Sequence, residues 1–366
     1  MLDNVQGCLL GVMIGDAMGM PVELMSASDI LVATKGAGIV DFNHPIQRNV
    51  KGTRDLDIGS TTDDWQLTEC ILKSLVRRQV FDLTDIALAH VEAYETSTFG
   101  WGGTTRDGMA ELQKYFETRG VEGRNPFEPP RLSNGPHFGR GAPRGLGNGV
   151  AMKIAPIAIF SALGEKPTEF VRIVRWFDDS IAMEFSQLAE HVAWVGGLTH
   201  ADPRAWSAAY AVALIIAETL LFPNKKLTSA HIKWMLTRLI KKVESFEEKY
   251  PSTEKDVFSK RLRVLNDFDL LYGPIESLRT ATGVGCLALE SACFAIAIFM
   301  RNPDDFRKGI LEAVNSGGDA DTTAAMAGSM IGAAVGASQI PHDWTNFNPA
   351  FMKALTMGSG LIQALT

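Results

Sequence analysis

The chain has 366 residues, 46% of them hydrophobic and only 21% charged, a balance that excludes disorder and supplies a large core. Its formal charge is −7 and no run of Lys or Arg is longer than a few residues, which excludes a nucleic-acid surface, because phosphate neutralisation needs concentrated positive charge. A small ligand, or a group carried on another protein, is the expected partner.

The N-terminus, Met1-Leu2-Asp3-Asn4, lacks the basic segment of a signal peptide, and the four cysteines stand far apart without a CxxC pair. A cytoplasmic protein is expected. Asp16, in the step Gly15-Asp16, reads as structural, and Glu23 after the glycine-rich helix end Gly19-Met20-Pro21 reads by itself as a solvated acid. Residues 34–60 are rich in Gly and turn formers. Within them Ile39-Val40-Asp41-Phe42 is at most a short extended piece, and no convincing alternating strand follows anywhere.

The spacing of Leu67, Ile71, Leu72, Leu75 and Val76 predicts a helix, with Asp63 or Asp64 near its N-terminal end. Residues 119–146 carry many Gly, Pro and Arg, and a loop of that length is expected to be a lid. Its His137, Arg140 and Arg144 either meet diphosphate oxygens, where guanidinium forks pair well, or belong to a solvated loop. Residues 206–221 are apolar nearly all round and predict a buried helix. The longest apolar runs, 208–217 and 286–300, are too short for a bilayer, which takes roughly 20 apolar residues, or are interrupted by Glu290.

The stretch 223–280 is more charged and helical, and is expected to be a peripheral insertion. Cys286 and Cys293, seven apart, are expected to share one face of a helix as core thiols. Asn302-Pro303-Asp304-Asp305 predicts a helix start, with Asn302 as the cap. No long repeat appears, which excludes a solenoid. The expectation is an all-α protein: one compact single-domain bundle of many helices over residues 1–366.

Two constellations can carry chemistry. Gly59-Ser60-Thr61-Thr62-Asp63-Asp64 precedes the first predicted helix, and Gly317-Gly318-Asp319-Ala320-Asp321-Thr322-Thr323 opens a helix of small residues over 324–337. Each can simply cap its helix, with acids at the positive end of the dipole. Each also offers carboxylates and a hydroxyl, the hard oxygen ligands that Mg²⁺ takes, and no Cys/His cluster competes for zinc. Brought face to face, the two would hold four carboxylates whose repulsion calls for divalent cations. A pair of such ions about 3.5–4 Å apart can clamp a substrate or a water.

Further motifs accompany these two. They are Gly7-Cys8-Leu9-Leu10-Gly11, Gly15-Asp16-Ala17-Met18-Gly19 with Glu23, Gly100-Trp101-Gly102-Gly103-Thr104-Thr105-Arg106, Gly147-Asn148-Gly149-Val150-Ala151-Met152-Lys153 and Thr199-His200. In this order the chain resembles the ADP-ribosylglycohydrolases, the family of nitrogenase-reactivating glycohydrolases, animal ADP-ribosyl-acceptor hydrolases and J1-type crystallins. The resemblance runs almost the full length. It implies a bundle of many helices with the active site at converging helix N-termini and loops.

The resemblance further implies two Mg²⁺ ions, with Mn²⁺ as a possible substitute, on Thr62, Asp63, Asp64, Asp319, Asp321 and Thr322. Gly147, Asn148 and Gly149 would touch the distal ribose and diphosphate of ADP-ribose or an ADP-ribosylated substrate, as unpaired N–H groups at a glycine-rich helix start suit an anion. Trp101, Gly102 and Gly103 would form a second glycine turn over the sugar, or an ordinary capping turn. His200 would contact phosphate or ribose, or be a satisfied structural histidine. Hydrolysis at the anomeric carbon passes through an oxocarbenium-like state, with Glu23, Asp63 and Asp321 as candidate catalytic acids and Glu23 assisting proton transfer.

One departure bears on the acceptor. Arginine-directed members are expected to keep an acid just before the second glycine turn, where this chain has Phe99-Gly100-Trp101. An O-linked or other N-glycosidic substrate is therefore at least as consistent. Rival readings are a metal-dependent N-glycosidase acting on a free nucleoside or nucleotide derivative, and a non-catalytic ADP-ribose binder or crystallin-like protein.

Overall fold

Gly7, Gly11, Gly15 and Gly19 recur every fourth residue, which on a helix makes one bare stripe. The computed structural model, which describes residues 1–46, 56–119, 145–164, 187–222 and 227–365, shows what that stripe meets. A Cβ on Gly7 would stand 2.3 Å from the carbonyl oxygen of Gly332, and one on Gly11 2.0 Å from that of Gly328. One on Gly15 would be 2.2 Å from that of Ala324, and one on Gly19 2.3 Å from the Cα of Asp321. The first helix and a late one therefore touch backbone to backbone, with no room for a side chain between them.

The helices run in the order α1 (Leu2–Gly19), α2 (Ala27–Ala33), α3 (Asp63–Arg78), α4 (Leu83–Thr96), α5 (Gly103–Arg119) and α6 (Ala155–Gly164). Then come α7 (Leu188–Gly197), α8 (Pro203–Leu221), α9 (Ser229–Lys249), α10 (Phe258–Leu262), α11 (Phe268–Tyr272) and α12 (Ile275–Thr282). The last are α13 (Ala288–Arg301), α14 (Phe306–Asn315), α15 (Ala320–Val335), α16 (His342–Thr345) and α17 (Met352–Leu365). Among the described residues there is no sheet, only isolated bridges between Ser26 and Gly317 and between Gly147 and Leu287. The all-α expectation holds.

The α1–α15 pair forms the centre, with α3, α8, α13, α14 and α17 packed around it over one continuous apolar core. Leu67, Ile71, Leu72 and Leu75 of α3 are fully buried, as their spacing predicts. The face of α9 made by Ile232, Leu236, Leu239 and Val243 closes over α8. Two segments, Leu2–Val22 and Pro203–Leu221, are long and apolar enough to cross a bilayer, and their residues are nearly all buried in the bundle. The first lies outside the runs picked from the sequence, because glycines dilute its apolar character.

Two local expectations are corrected. The helix after Asn302 starts at Phe306, capped by Asp305, whose Oδ1 accepts from Lys308 N at 3.0 Å. Asn302 instead ends α13, its amide donating to Ile298 O and to Glu312 Oε2 at 2.6 Å. Cys286 is not on a helix face with Cys293: α13 begins at Ala288, leaving Cys286 exposed in the preceding loop while Cys293 is buried. The expected lid, with His137, Arg140 and Arg144, lies outside the described residues except at its edges.

Candidate active site

The α1–α15 contact fixes what faces what. Asp16 lies on α1 between the contact glycines Gly15 and Gly19, so it meets the start of α15, where Asp321 and Thr322 stand. Carboxylate oxygens of Asp16, Asp64 and Asp321 all lie within 4.8 Å of one another, as do those of Glu23, Asp319 and Asp321. The Thr322 hydroxyl donates to Asp64 Oδ2 at 3.2 Å, joining the two acidic motifs directly.

These motifs begin helices, yet they do not cap them. Neither Thr62 at the start of α3 nor Asp319 at the start of α15 makes a side-chain cap bond. Asp82, Asp202, Thr228 and Asp305 do so at their own helices. Asp16 serves α3 from outside instead: its carboxylate accepts from Thr62 N, Thr62 Oγ1 and Trp65 N at 2.9–3.0 Å. The side chains of the motifs are thereby left to point at one another, and the buried Asp64 Oδ1 has no partner among the described residues.

Such crowding is electrostatically costly. Burial first, then neighbouring carboxylates, hold Asp64 and Asp321 well above the usual carboxylate range. Burial and the charge of Asp16 push Asp63 up to about 7. Asp16 rises to about 7 by burial, against the hydrogen bonds it accepts from Thr62 and Trp65. Glu23 sits at the half-exposed rim, and burial with Asp319, Asp63 and Asp16 pushes it up to about 8.

Three loops hold the rim. Gly317 and Gly318 adopt φ of +69° and +71°, with the backbones of Met25 and Val284 closer than any Cβ allows. Leu24 N donates to Gly318 O, Gly318 N to Met25 O, and Asp319 N to Val284 O, all at 2.7–2.8 Å. The segment that follows Glu23 is thus stitched to the second acidic motif. Asn148 joins in through its side chain, donating to Asp319 Oδ2 at 2.7 Å and to Ser291 Oγ at 3.1 Å. Cys286 lies beside Asp319, and its carbonyl accepts from Asn148 N.

The glycine turns flank this cluster. Gly147 and Gly149 pack against the His200 ring, where added Cβ atoms would stand 3.2 Å from Nε2 and 2.9 Å from Cε1. His200 is buried, and burial with the charge of Lys153 pulls its imidazole down to about 3, so it is neutral. Gly102 and Gly103 are exposed at the start of α5, with open space where a side chain would be. Trp101 turns inward, its indole buried and donating to Gln66 Oε1 at 2.7 Å. Gly100 has φ +79°, and a Cβ there would meet Asp63 Oδ1 at 2.6 Å, so this backbone has no place for an acid.

Sequence reasoning set Asp16 aside as structural. It does hold α3, but it also belongs to the carboxylate cluster, and an acid within the apolar, glycine-striped run after Gly7 was the available signal. Lys153, fully buried behind the cluster, passed unremarked within its motif, although a lysine between Met152 and Ile154 stands out from its apolar surroundings.

A family model described as ADP-ribosylglycohydrolase matches residues 1–349. The chain belongs to the ADP-ribosylglycohydrolase family. Among its relatives, the ADP-ribosylhydrolase ARH3 of Gallus gallus is 26% identical, over 97% of this chain and 92% of its own length. The ADP-ribosylarginine hydrolase Tri1 of Serratia proteamaculans is 25% identical, over 94% of this chain and 74% of its own length. The ADP-ribosyl-dinitrogen reductase glycohydrolase of Rhodospirillum rubrum is 23% identical, over 93% of this chain and 89% of its own length. A solved structure, an ADP-ribosylglycohydrolase-related protein complex, shares the fold, with a TM-score of 0.63 at 22% identity over 100% of this chain and 99% of that one. As an ADP-ribosylglycohydrolase, the chain is a hydrolase of the glycosidase class, from a family that cleaves ADP-ribose linkages.

Proposed function

We propose that this ADP-ribosylglycohydrolase is Mg²⁺-dependent and breaks the anomeric bond of an ADP-ribosyl group attached to a non-guanidino acceptor. One observation carries the metal part: two acidic helix starts face each other, neither capped by its own N-cap side chain, with a buried carboxylate oxygen of Asp64 left without a partner among the described residues. That donor set is all oxygen and strongly anionic, which fits a hard divalent cation. Thr62, Asp63, Asp64, Asp319, Asp321 and Thr322 would hold two such ions, with Asp16 behind them fixing Thr62. Bound there, the ions would supply positive charge that orients the sugar hydroxyls and polarises the reaction centre.

The chain's own groups account for the rest. Glu23, at the rim beside Leu24 and Met25, which bind the Gly317-Gly318 turn, would move a proton at the anomeric position. Asn148 and Ser291 hold Asp319 in its orientation. The exposed backbone at Gly102 and Gly103, at the start of α5, and the glycines Gly147 and Gly149 beside His200 would offer neutral donors for the diphosphate and distal ribose, while Asn148 is engaged with Cys286, Ser291 and Asp319.

Purified protein incubated with Mg²⁺ and with arginine-, serine- and acetyl-linked ADP-ribose tests the proposal, with excess EDTA and a free nucleoside as controls. Release of ADP-ribose that EDTA abolishes is the expected result. Turnover undiminished by EDTA would refute the metal reading, and cleavage of the nucleoside alone would refute the substrate reading.

A further inference from the structure

Lys153 is a fully buried lysine whose Nζ donates to Thr199 Oγ1 at 3.3 Å. The same hydroxyl oxygen lies 2.8 Å from His200 Nδ1. An ammonium has donors and no acceptor, so Thr199 Oγ1 must accept from Lys153, and the single hydroxyl hydrogen remains free. Among the described residues, His200 Nδ1 is the one acceptor that faces it. Were Nδ1 protonated instead, the buried Thr199 hydroxyl would keep a hydrogen without a partner, which costs a hydrogen bond's worth of stability. The backbone that carries the ring is fixed as well: His200 O accepts from Trp206 Nε1 at 2.7 Å, and His200 N donates to Gly196 O.

We propose that Lys153 is a positioning residue which, through the Thr199 hydroxyl, locks His200 as the tautomer with its proton on Nε2. That nitrogen is the one that faces the Gly147–Gly149 turn. A neutral imidazole thus offers an N–H donor to an anion seated on the turn, without a positive charge that would compete with cations at the acidic cluster. A histidine with free tautomers would present a lone pair to the same anion part of the time. The consequence for ligand binding rests on the ADP-ribose reading above; the tautomer does not.

Long-range ¹H–¹⁵N correlation spectra of the ¹⁵N-labelled full chain at neutral pH read the tautomer directly, and calorimetry with ADP-ribose reads binding. Wild-type His200 should show a bare Nδ1 and a protonated Nε2. Thr199→Val and Lys153→Met should release the tautomer and weaken ADP-ribose by about tenfold. Thr199→Ser and Lys153→Arg should restore both, which a merely space-filling role would not require. A protonated Nδ1 in the wild type overturns the relay even if no variant folds. So does a Thr199→Val protein with unchanged tautomer and affinity. A wild type with the expected tautomer that fails to bind ADP-ribose upholds the relay and refutes the ligand reading.

Discussion

Thr322 donates its hydroxyl to Asp64 Oδ2 at 3.2 Å, although the two residues are 258 positions apart. The bond marks where the starts of α3 and α15 meet, and it exists because the glycine stripe of α1 draws α15 against it. Removing charge at that meeting point should separate metal binding from folding. Asp63→Asn and Asp321→Asn each delete an anionic oxygen while keeping the side-chain volume. Both should melt no lower than the wild type without metal, since each relieves repulsion. Added Mg²⁺ should raise the melting temperature of the wild type and barely move either variant. Equal Mg²⁺ shifts in all three proteins would refute the ligand assignment.

Glu23 tests the rim separately. Glu23→Gln should lower kcat by a factor on the order of 10²–10⁴, the range for general acid–base groups, with Mg²⁺ affinity near normal. Loss of Mg²⁺ affinity together with activity would make Glu23 a ligand instead.

The acceptor follows from Gly100. Asp63 Oδ1 occupies the space where a side chain at position 100 would go, so no carboxylate can meet a guanidinium from there. A guanidinium lacking that partner forgoes a charge-assisted contact of about 1.5–3 kcal/mol. ADP-ribosyl-arginine should therefore be a poorer substrate than an O-linked conjugate in side-by-side rates at equal concentration. A clear preference for the arginine conjugate would transfer the role to another acid, such as Asp107 or Glu95.

His191 predicts a pH dependence of stability. Its ring stacks on Phe81 at 3.9 Å, and burial pulls it from 6.5 to about 4. Between those values the unfolded chain binds a proton that the folded chain does not, so stability is lost as pH falls through this window. At pH 5 the loss from this one ring is about 2 kcal/mol. His191→Phe keeps the stack and removes the proton. Urea midpoints at pH 7 and pH 5 should fall less for the variant; parallel falls would show that His191 is protonated in the native state.

Gly11 tests the link between core and site. A Cβ there would lie 2.0 Å from Gly328 O, so Gly11→Ala must push α1 and α15 apart, at a cost of about 3 kcal/mol or more. Because Asp16 rides on α1 and Asp321 on α15, Mg²⁺ affinity should fall along with the melting temperature. A variant that loses stability alone would show that the site tolerates the displacement.

Local chemistry made much of this legible from residues alone. The period of Leu67, Ile71 and Leu75 predicts α3, and hydroxyls beside paired acids mark both helix starts, because such patterns depend only on neighbours in sequence. Asn302 misled the same reasoning, since its amide is claimed by Glu312 in another helix. Cys286 misled it because α13 starts two residues later than the spacing implied. Whether Thr62 and Asp319 cap their helices or face each other was open in the sequence, and only the tertiary structure decided it. Four glycines let two backbones touch, which sets Asp16 against Asp321, and the bonds of Asp16 to Thr62 and Trp65 bring Asp64 into the same small space. The sequence by itself determined which oxygens were available; the packing of α1 on α15 determined that they share a site, because distance across a fold is set by backbone contact and not by spacing along the chain.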